Sequence, residues 1–260
     1  MHFSGRTQML WDEYSLSDSL KIIGALGFEG AEICLENRFF EYVPTFAEEY
    51  IIDHTRELCA ELGLFANSVG CHVDFVHEEK SFTALKELIP KVPRYGTNIF
   101  ILGGCKQVAH YPEEWSTYTE RMREMVRIAE DHDVLLAPEP EIHCVLRTSH
   151  DMERLLEAIP SPALRVNMDI GHAFLTDVDP IESIRRLGER IVHLHIENML
   201  RGWHNHQLPQ HGDMDLEQYF RVITDIGFAG PAALDLYNVD FQEIAPESLE
   251  YLETLRDSLR

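Results

Sequence analysis

The sequence predicts an α/β protein folded as a single (β/α)8 TIM barrel over residues 1–260. Three observations predict it. Short apolar runs alternate with amphipathic helical stretches along the whole chain. The runs are apolar at both parities, as in strands buried on both faces. Gly or Pro punctuates most boundaries, and no linker, low-complexity segment or shift of composition divides the chain. The rival fold, an open doubly wound sheet, wants a Gly-rich phosphate loop after the first strand, and none follows "MHFSG".

Taken in order, run 1–5 precedes a helix over 15–27, in which Leu20, Ile23, Ala25 and Leu26 recur with the 3.6-residue period. Run 30–36 (GAEICLE) leads to a helix over 45–63, run 64–72 (LFANSVGCH) to 78–96, and run 98–104 (NIFILGG) to 112–132. Run 134–141 (VLLAPEPE) leads to 148–160, and run 163–171 (ALRVNMDIG) to 179–189. Run 190–198 (RIVHLHIEN) leads to 215–227, and run 230–237 (GPAALDLY) to 246–260. One connection is too long for a plain link. From Asn198 to Met214 it carries Arg201, Trp203 and the histidines 204, 206 and 211, which marks it as a lid.

Composition removes several functions. The net charge of −23, with no cluster of Lys or Arg, excludes nucleic acid as a partner. No run of 18 apolar residues and no basic region followed by an apolar stretch is present, so neither a membrane span nor a signal peptide is expected. Five cysteines without short pair spacing argue against a disulfide framework or a zinc ribbon and point to reduced thiols in the cytoplasm.

A barrel builds its site at the C-terminal ends of its strands. The fifth run ends in Glu139-Pro140-Glu141 and the sixth in Asp169, with His172 in the following turn. The seventh contains His193 and His195, and the eighth ends in Asp235. Each has a plain structural alternative: a helix cap, turn chemistry, an interior histidine or an ion-pair partner. Three carboxylates and an imidazole at adjacent strand ends would repel and suffer desolvation unless a cation reconciled them. The set is oxygen-rich and lacks thiolate, which suits Mn2+ first, with Mg2+, Co2+ or Zn2+ as alternatives. His195 is chosen over His193, because it stands about 6.6 Å nearer the mouth. Glu139 is chosen over Glu141, because it directly follows the apolar run. His72, just after the third strand, lines the same mouth.

These residues resemble the xylose isomerase-like barrel superfamily, which includes ketose 3-epimerases, hydroxypyruvate isomerase, inosose dehydratase and endonuclease IV. "LLAPEPE" is similar to the strand that supplies the first metal Glu, here Glu139. "VNMDIGHAF" is similar to the Asp-x-x-His segment, implying Asp169 as ligand and His172 beside substrate. "IVHLHIEN" resembles the His-x-His strand whose second His, here His195, binds metal, and Arg201 matches the substrate-binding Arg. "HGDMDLEQYF" is similar to a Gly-x-Gly-x-Asp-Phe segment, with His211-Gly212-Asp213 replacing part of it. In the last strand the second metal Glu is replaced by Asp235, one methylene shorter.

The resemblance implies a divalent-metal-dependent isomerase or epimerase of a small sugar, ketose or keto-polyol, working as a homo-dimer or homo-tetramer. Glu139 and Asp235 would transfer the proton through a metal-stabilised enediolate. His72, His172 and Arg201 would hold a substrate left unphosphorylated, since lysines are scarce near the mouth. A dehydratase of the inosose type is the alternative, because the same enediolate can expel a β-hydroxyl. A phosphodiesterase of the endonuclease IV type would need further His ligands, and His72 and His110 lie loosely in those regions. A sugar-binding barrel without turnover is the third class.

Overall fold

The computed structural model describes residues 1–10, 13–37 and 39–259. Its strands are β1 (His2–Arg6), β2 (Gly30–Cys34), β3 (Phe65–His72), β4 (Ile99–Gly103), β5 (Leu135–Pro138), β6 (Val166–Asp169), β7 (Ile191–Ile196), β8 (Asn198–Leu200), β9 (Trp203–Gln207) and β10 (Pro231–Leu234). All but β8 and β9 form one eight-stranded sheet in the order β5-β4-β3-β2-β1-β10-β7-β6, every pair of it parallel. The ends of that order meet. Leu136 donates to the Ala163 carbonyl and Arg165 to the Leu136 carbonyl, both at 2.8 Å, so the sheet closes just before β6 begins. The eight expected runs are these eight strands.

The helices are α1 (Leu16–Ala25), α2 (Glu49–Leu62), α3 (Glu79–Leu88), α4 (Tyr111–Asp131), α5 (Ser149–Ala158), α6 (Ile170–Thr176), α7 (Pro180–Leu187), α8 (Leu216–Asp225) and α9 (Phe241–Ser258). Six of them, α1 and α5 to α9, start at side-chain caps. Ser15 accepts from the Asp18 N–H, Thr148 and Asp151 form a reciprocal capping box, and Asp215 accepts from the Gln218 N–H.

Four details differ from expectation. The helix expected over 78–96 is α-helical only to Leu88 and continues as a 3-10 stretch to Tyr95, because Pro90 and Pro93 have no N–H for an α ladder. The last helix starts at Phe241 rather than Pro246, because Asp240 caps it through the Glu243 N–H and Pro246 is accommodated inside. Its expected end at Arg260 lies outside the described residues. The turn expected after Asp169 is a short helix, α6. The connection from Asn198 to Met214 contains an antiparallel hairpin, β8–β9.

The barrel interior also differs from the apolar filling that the runs suggested. Arg6, Glu32, Ser68, Asn167, His193 and His195 are each 0 or 1% exposed. They tolerate burial because they satisfy one another. His193 is 2.8 Å from Asn167 Oδ1 and 3.1 Å from Ser68 Oγ, and Arg6 Nε donates to Glu32 Oε1 at 2.8 Å. Burial pulls the His193 imidazole down to about 3, which keeps it neutral. Among the described residues no helix is long and apolar enough to cross a membrane.

Candidate active site

Because the barrel strands are parallel, their C-terminal ends share one mouth. A cavity of about 1330 Å³ opens there, lined by Arg6, His72, Glu139, His172, His206 and Asp235 among others. Of the expected ligands, Glu139 and Asp235 line it from strand ends, and Asp169 and His195 are buried beside them. Glu139 follows β5, where its N–H donates to the Leu102 carbonyl at 2.9 Å. Asp235 follows β10, its N–H on the Ile196 carbonyl at 3.0 Å. Asp169 ends β6 and caps α6. Its Oδ1 accepts the His172 N–H at 2.6 Å, while its buried Oδ2 has no hydrogen-bond partner. Cap and ligand are thus separate oxygens of one carboxylate.

His195, on β7, is the hub. Its Nδ1 lies 2.8 Å from Glu139 Oε2, 3.7 Å from Asp235 Oδ2 and 3.9 Å from Asp169 Oδ2. Its Nε2 lies 3.0 Å from Glu32 Oε2. Donation from Nε2 to Glu32 orients the ring and leaves Nδ1 facing the three acids, the arrangement that second-layer carboxylates impose on metal-binding imidazoles. Asp235 Oδ1 is ion-paired with Arg6 Nη1, so only Oδ2 faces His195.

The electrostatics suit a cation. Glu32, Glu36, Glu139, Asp169, Glu197 and Asp235 are all buried here, and among the described residues Arg6 is the one buried guanidinium beside them. Burial alone would raise the Glu139 carboxyl, but His195, His172 and His72 hold it well below the usual carboxylate range. Burial likewise opposes ionisation of Glu32, and Arg6 with His195 overrides it. The imidazoles respond in the opposite sense. Burial lowers His195, yet Glu139 and Glu32 bring it up to about 10 against the repulsion of Arg6. Burial lowers His172 too, and Asp169 and Glu139 bring it up to about 10. Glu197 goes the other way: burial, Asp169 and Asp235 raise it well above the usual carboxylate range.

The donor set fits a divalent ion. Asp169, His195 and Asp235 each offer an atom, all within 4.8 Å of one another, and Glu139 reaches the same imidazole nitrogen. Three carboxylates with one imidazole are an oxygen-rich set, and the unpartnered Asp169 Oδ2 is a buried lone pair aimed at it.

The other expected residues fall in different places. His72 lines the mouth, with Nδ1 3.0 Å from Glu36 Oε1 and Nε2 3.4 Å from Glu139 Oε2. His172 lines it from the first turn of α6, its Nδ1 3.3 Å from Glu139 Oε1. Arg201 is exposed in the hairpin turn. Its backbone N–H donates to Asp213 Oδ2 at 2.8 Å, its guanidinium lies 4.6 Å over the Phe174 ring, and it does not line the mouth cavity. Glu141 also lines the cavity, and its carboxylate accepts from Cys144 Sγ at 3.3 Å.

Three participants carry no expectation from the sequence, Arg6, Glu32 and Glu197, and His204 and His206, expected only as part of a lid, also line the mouth. Arg6 and Glu32 carried a signal, being charged residues within strand-like runs. His204 and His206 also did, since their spacing of two places them on one side of a strand.

Gly171 sits inside α6, where a turn was expected, and makes room: its N–H donates to Glu197 Oε1 at 2.8 Å, and a Cβ there would stand 2.0 Å from that oxygen and 2.8 Å from the Met199 side chain. Gly171→Ala is expected to cost about 1–3 kcal/mol by overpacking, measurable as a lower urea midpoint. An unchanged midpoint would show that Glu197 moves freely.

Residues 20–255 match the family described as xylose isomerase-like TIM barrel. A D-psicose 3-epimerase from Enterocloster bolteae is 26% identical over 235 residues, covering 82% of this chain and 74% of its own. A 3-dehydroshikimate dehydratase from Bacillus anthracis is 23% identical over 192 residues, 71% of this chain and 67% of its own. Two further curated relatives are matched over only 52% and 53% of their length. The crystal structure of the IOLI protein with a binding zinc atom superposes with a TM-score of 0.79 over 100% of this chain and 98% of that one, at 16% identity. That likeness speaks to the fold.

Proposed function

The chain belongs to the xylose isomerase-like TIM barrel family, and from that premise we propose that it is a divalent-metal-dependent isomerase or epimerase of a small sugar, ketose or keto-polyol. One observation carries the reading. Three buried carboxylates, from Glu139, Asp169 and Asp235, converge on His195 Nδ1 at 2.8–3.9 Å beneath an open cavity. The epimerase among its relatives and the zinc atom in a protein of the same fold support it. Glu139, Asp169, His195 and Asp235 would hold the ion, Mn2+ first by donor chemistry, with Mg2+, Co2+ and Zn2+ also suited.

When bound, the ion polarises a substrate carbonyl and so lowers the cost of removing the neighbouring carbon-bound proton. Glu139, held ionised, accepts that proton on a carboxylate oxygen. Asp235, separated from Glu139 around the barrel by β6 and β7, is the group placed to return one from another side. His72 and His172 hold substrate oxygens and fix which carbon faces Glu139. Arg201 is assigned to substrate on family resemblance alone. Five buried free thiols suit a reducing cytoplasm.

A dehydratase is the second reading, and one observation favours it. Arg6 occupies Asp235 Oδ1, so the shorter acid has a single oxygen left for ion and proton alike. Glu139 would then remove the proton, and a β-hydroxyl would leave in place of reprotonation.

The test is solvent exchange in deuterated water. Mn2+-replete protein is incubated with a panel of ketoses and hydroxy-keto acids. Deuterium at the carbon beside the carbonyl, in an isomer of the starting compound, is the expected result. Deuterium in a product lighter by one water selects the dehydratase. No incorporation into any of them would sink both and leave a sugar-binding barrel.

A further inference from the structure

The open space at the mouth does not end beside the acidic cluster. A second cavity of about 600 Å³ adjoins it, walled by α3 and by the segments that follow β2, β3, β4 and β5. Phe39, Phe40, Lys106 and Glu141 line both cavities, so one ligand can reach from the first into the second. The space exceeds what a lone small sugar fills. A drug-sized ligand takes a pocket of about 300–1,000 Å³, and the mouth alone has about 1330 Å³.

The shared wall is aromatic, and the chain holds it in place. Phe39 and Phe40 are 67% and 41% exposed. Phe40 takes a φ of 58°, a region that a bulky residue seldom occupies. Asn37 imposes it. The Asn37 side-chain oxygen accepts the N–H groups of Phe39 at 2.8 Å and Glu41 at 3.1 Å, and the Asn37 carbonyl accepts that of Phe40 at 2.9 Å. Backbone strain persists where its surroundings over-determine it, and it gathers at ligand sites. Tyr42 adds a third ring to the second cavity alone.

The polar lining narrows the ligand. Among the described lining residues Glu41, Asp74, Glu78 and Glu141 stand against Lys80 and Lys106, and Lys80 is paired with Glu78 at 3.6 Å. An anionic group meets net repulsion there. At the junction Lys106 and Glu141 offer a donor and an acceptor, which suits neutral hydroxyls. A pyranose ring presents C–H bonds on its faces and hydroxyls around its edge. Aromatic faces take the first and carboxylates accept from the second. We propose that the second cavity is a subsite for a second sugar ring, so that the substrate is a ketose carried in a disaccharide or glycoside. The inference rests on the ketose reading of the mouth and sets the size of that ketose.

The test compares one ketose with and without a second ring. D-Fructose is titrated into Mg2+-loaded protein beside lactulose and isomaltulose, two disaccharides that carry fructose as their ketose unit. Saturation-transfer NMR gives each Kd and shows which ring touches protein. For one disaccharide a Kd at least about tenfold below that of fructose, which is about 1.4 kcal/mol, is expected, with saturation on both rings. Two variants locate the effect. Ala84→Trp fills the second cavity from α3, and Phe40→Gly removes a ring where glycine takes positive φ freely. Each should bring the ratio of the two Kd values back toward one, and thermal unfolding checks both folds. Fructose bound as tightly as both disaccharides overturns the subsite and leaves the isomerase reading standing. A preference that survives either variant places the second ring elsewhere and also overturns the subsite. A preference lost in both variants, with no deuterium exchanged into any ketose, upholds the subsite and overturns the isomerase reading. No binding of any of the three sugars overturns both.

Discussion

Arg6→Met is expected to lower the stability of the metal-free protein by about 3–5 kcal/mol, the usual cost of removing one partner from a buried ion pair. Arg6 is 1% exposed and bonds two carboxylates, Glu32 and Asp235, that are themselves buried. Methionine fills the space and leaves both charges uncompensated. The size of the effect depends on pH. Burial raises the Asp235 and Glu32 carboxyls, and Arg6 more than offsets this, so both ionise below their ordinary range. Carboxyls depressed in the folded state contribute stability above their unfolded values of about 4, and that contribution is lost as pH falls through the folded values. The gap between wild type and variant should therefore be full at neutral pH and shrink as pH drops below about 4. Urea unfolding across pH 3–8 measures it. A gap that widens on acidification would contradict this account. The triple variant Arg6→Met, Glu32→Gln, Asp235→Asn should recover much of the loss, which separates the charge effect from a general packing defect.

Glu139→Gln is expected to reduce kcat/KM by about 10²–10⁴-fold, the range that a positioned proton-transfer group contributes. The substitution keeps shape and volume. It removes a carboxylate that three imidazoles surround, those of His72, His172 and His195. It also weakens the ion, so the assay is made at saturating Mn2+ to separate the two roles. A loss that persists at saturation belongs to proton transfer. Full recovery by added Mn2+ would reduce Glu139 to a ligand and move the base elsewhere.

The barrel was legible because its evidence is local and repeated. Each strand run and each helical stretch is read within about ten residues, and the chain repeats the unit eight times. The exceptions are equally local. α6 is seven residues long, and an apolar piece of that length after a strand has no periodicity to distinguish it from the strand. The β8–β9 hairpin turns at Arg201-Gly202, where Gly202 takes a φ of 78° without the usual Asn-Gly signal. Glu139, Asp169, His195 and Asp235 could be proposed because each sits at the end of a recognisable strand. Glu32 could not be separated from Glu36 in the same way. What distinguishes it is contact with His195, 163 residues away, which exists only once the sheet has closed. Arg6 was hidden for the same reason, since its partner Asp235 is 229 residues distant.

The missing side chain at Gly171 has a consequence for how this sequence can change over evolutionary time. Glu197 Oε1 occupies the volume that any Cβ at 171 would need, and it accepts the Gly171 amide proton there. Each position drifts alone only at a cost. A lineage that acquires alanine at 171 has to displace or shorten the side chain at 197, and one that shortens 197 first leaves a buried amide without its acceptor. The two positions should therefore be exchanged as a pair, with the order of the two steps constrained. Redesign of this mouth has to treat residues 171 and 197 as one unit.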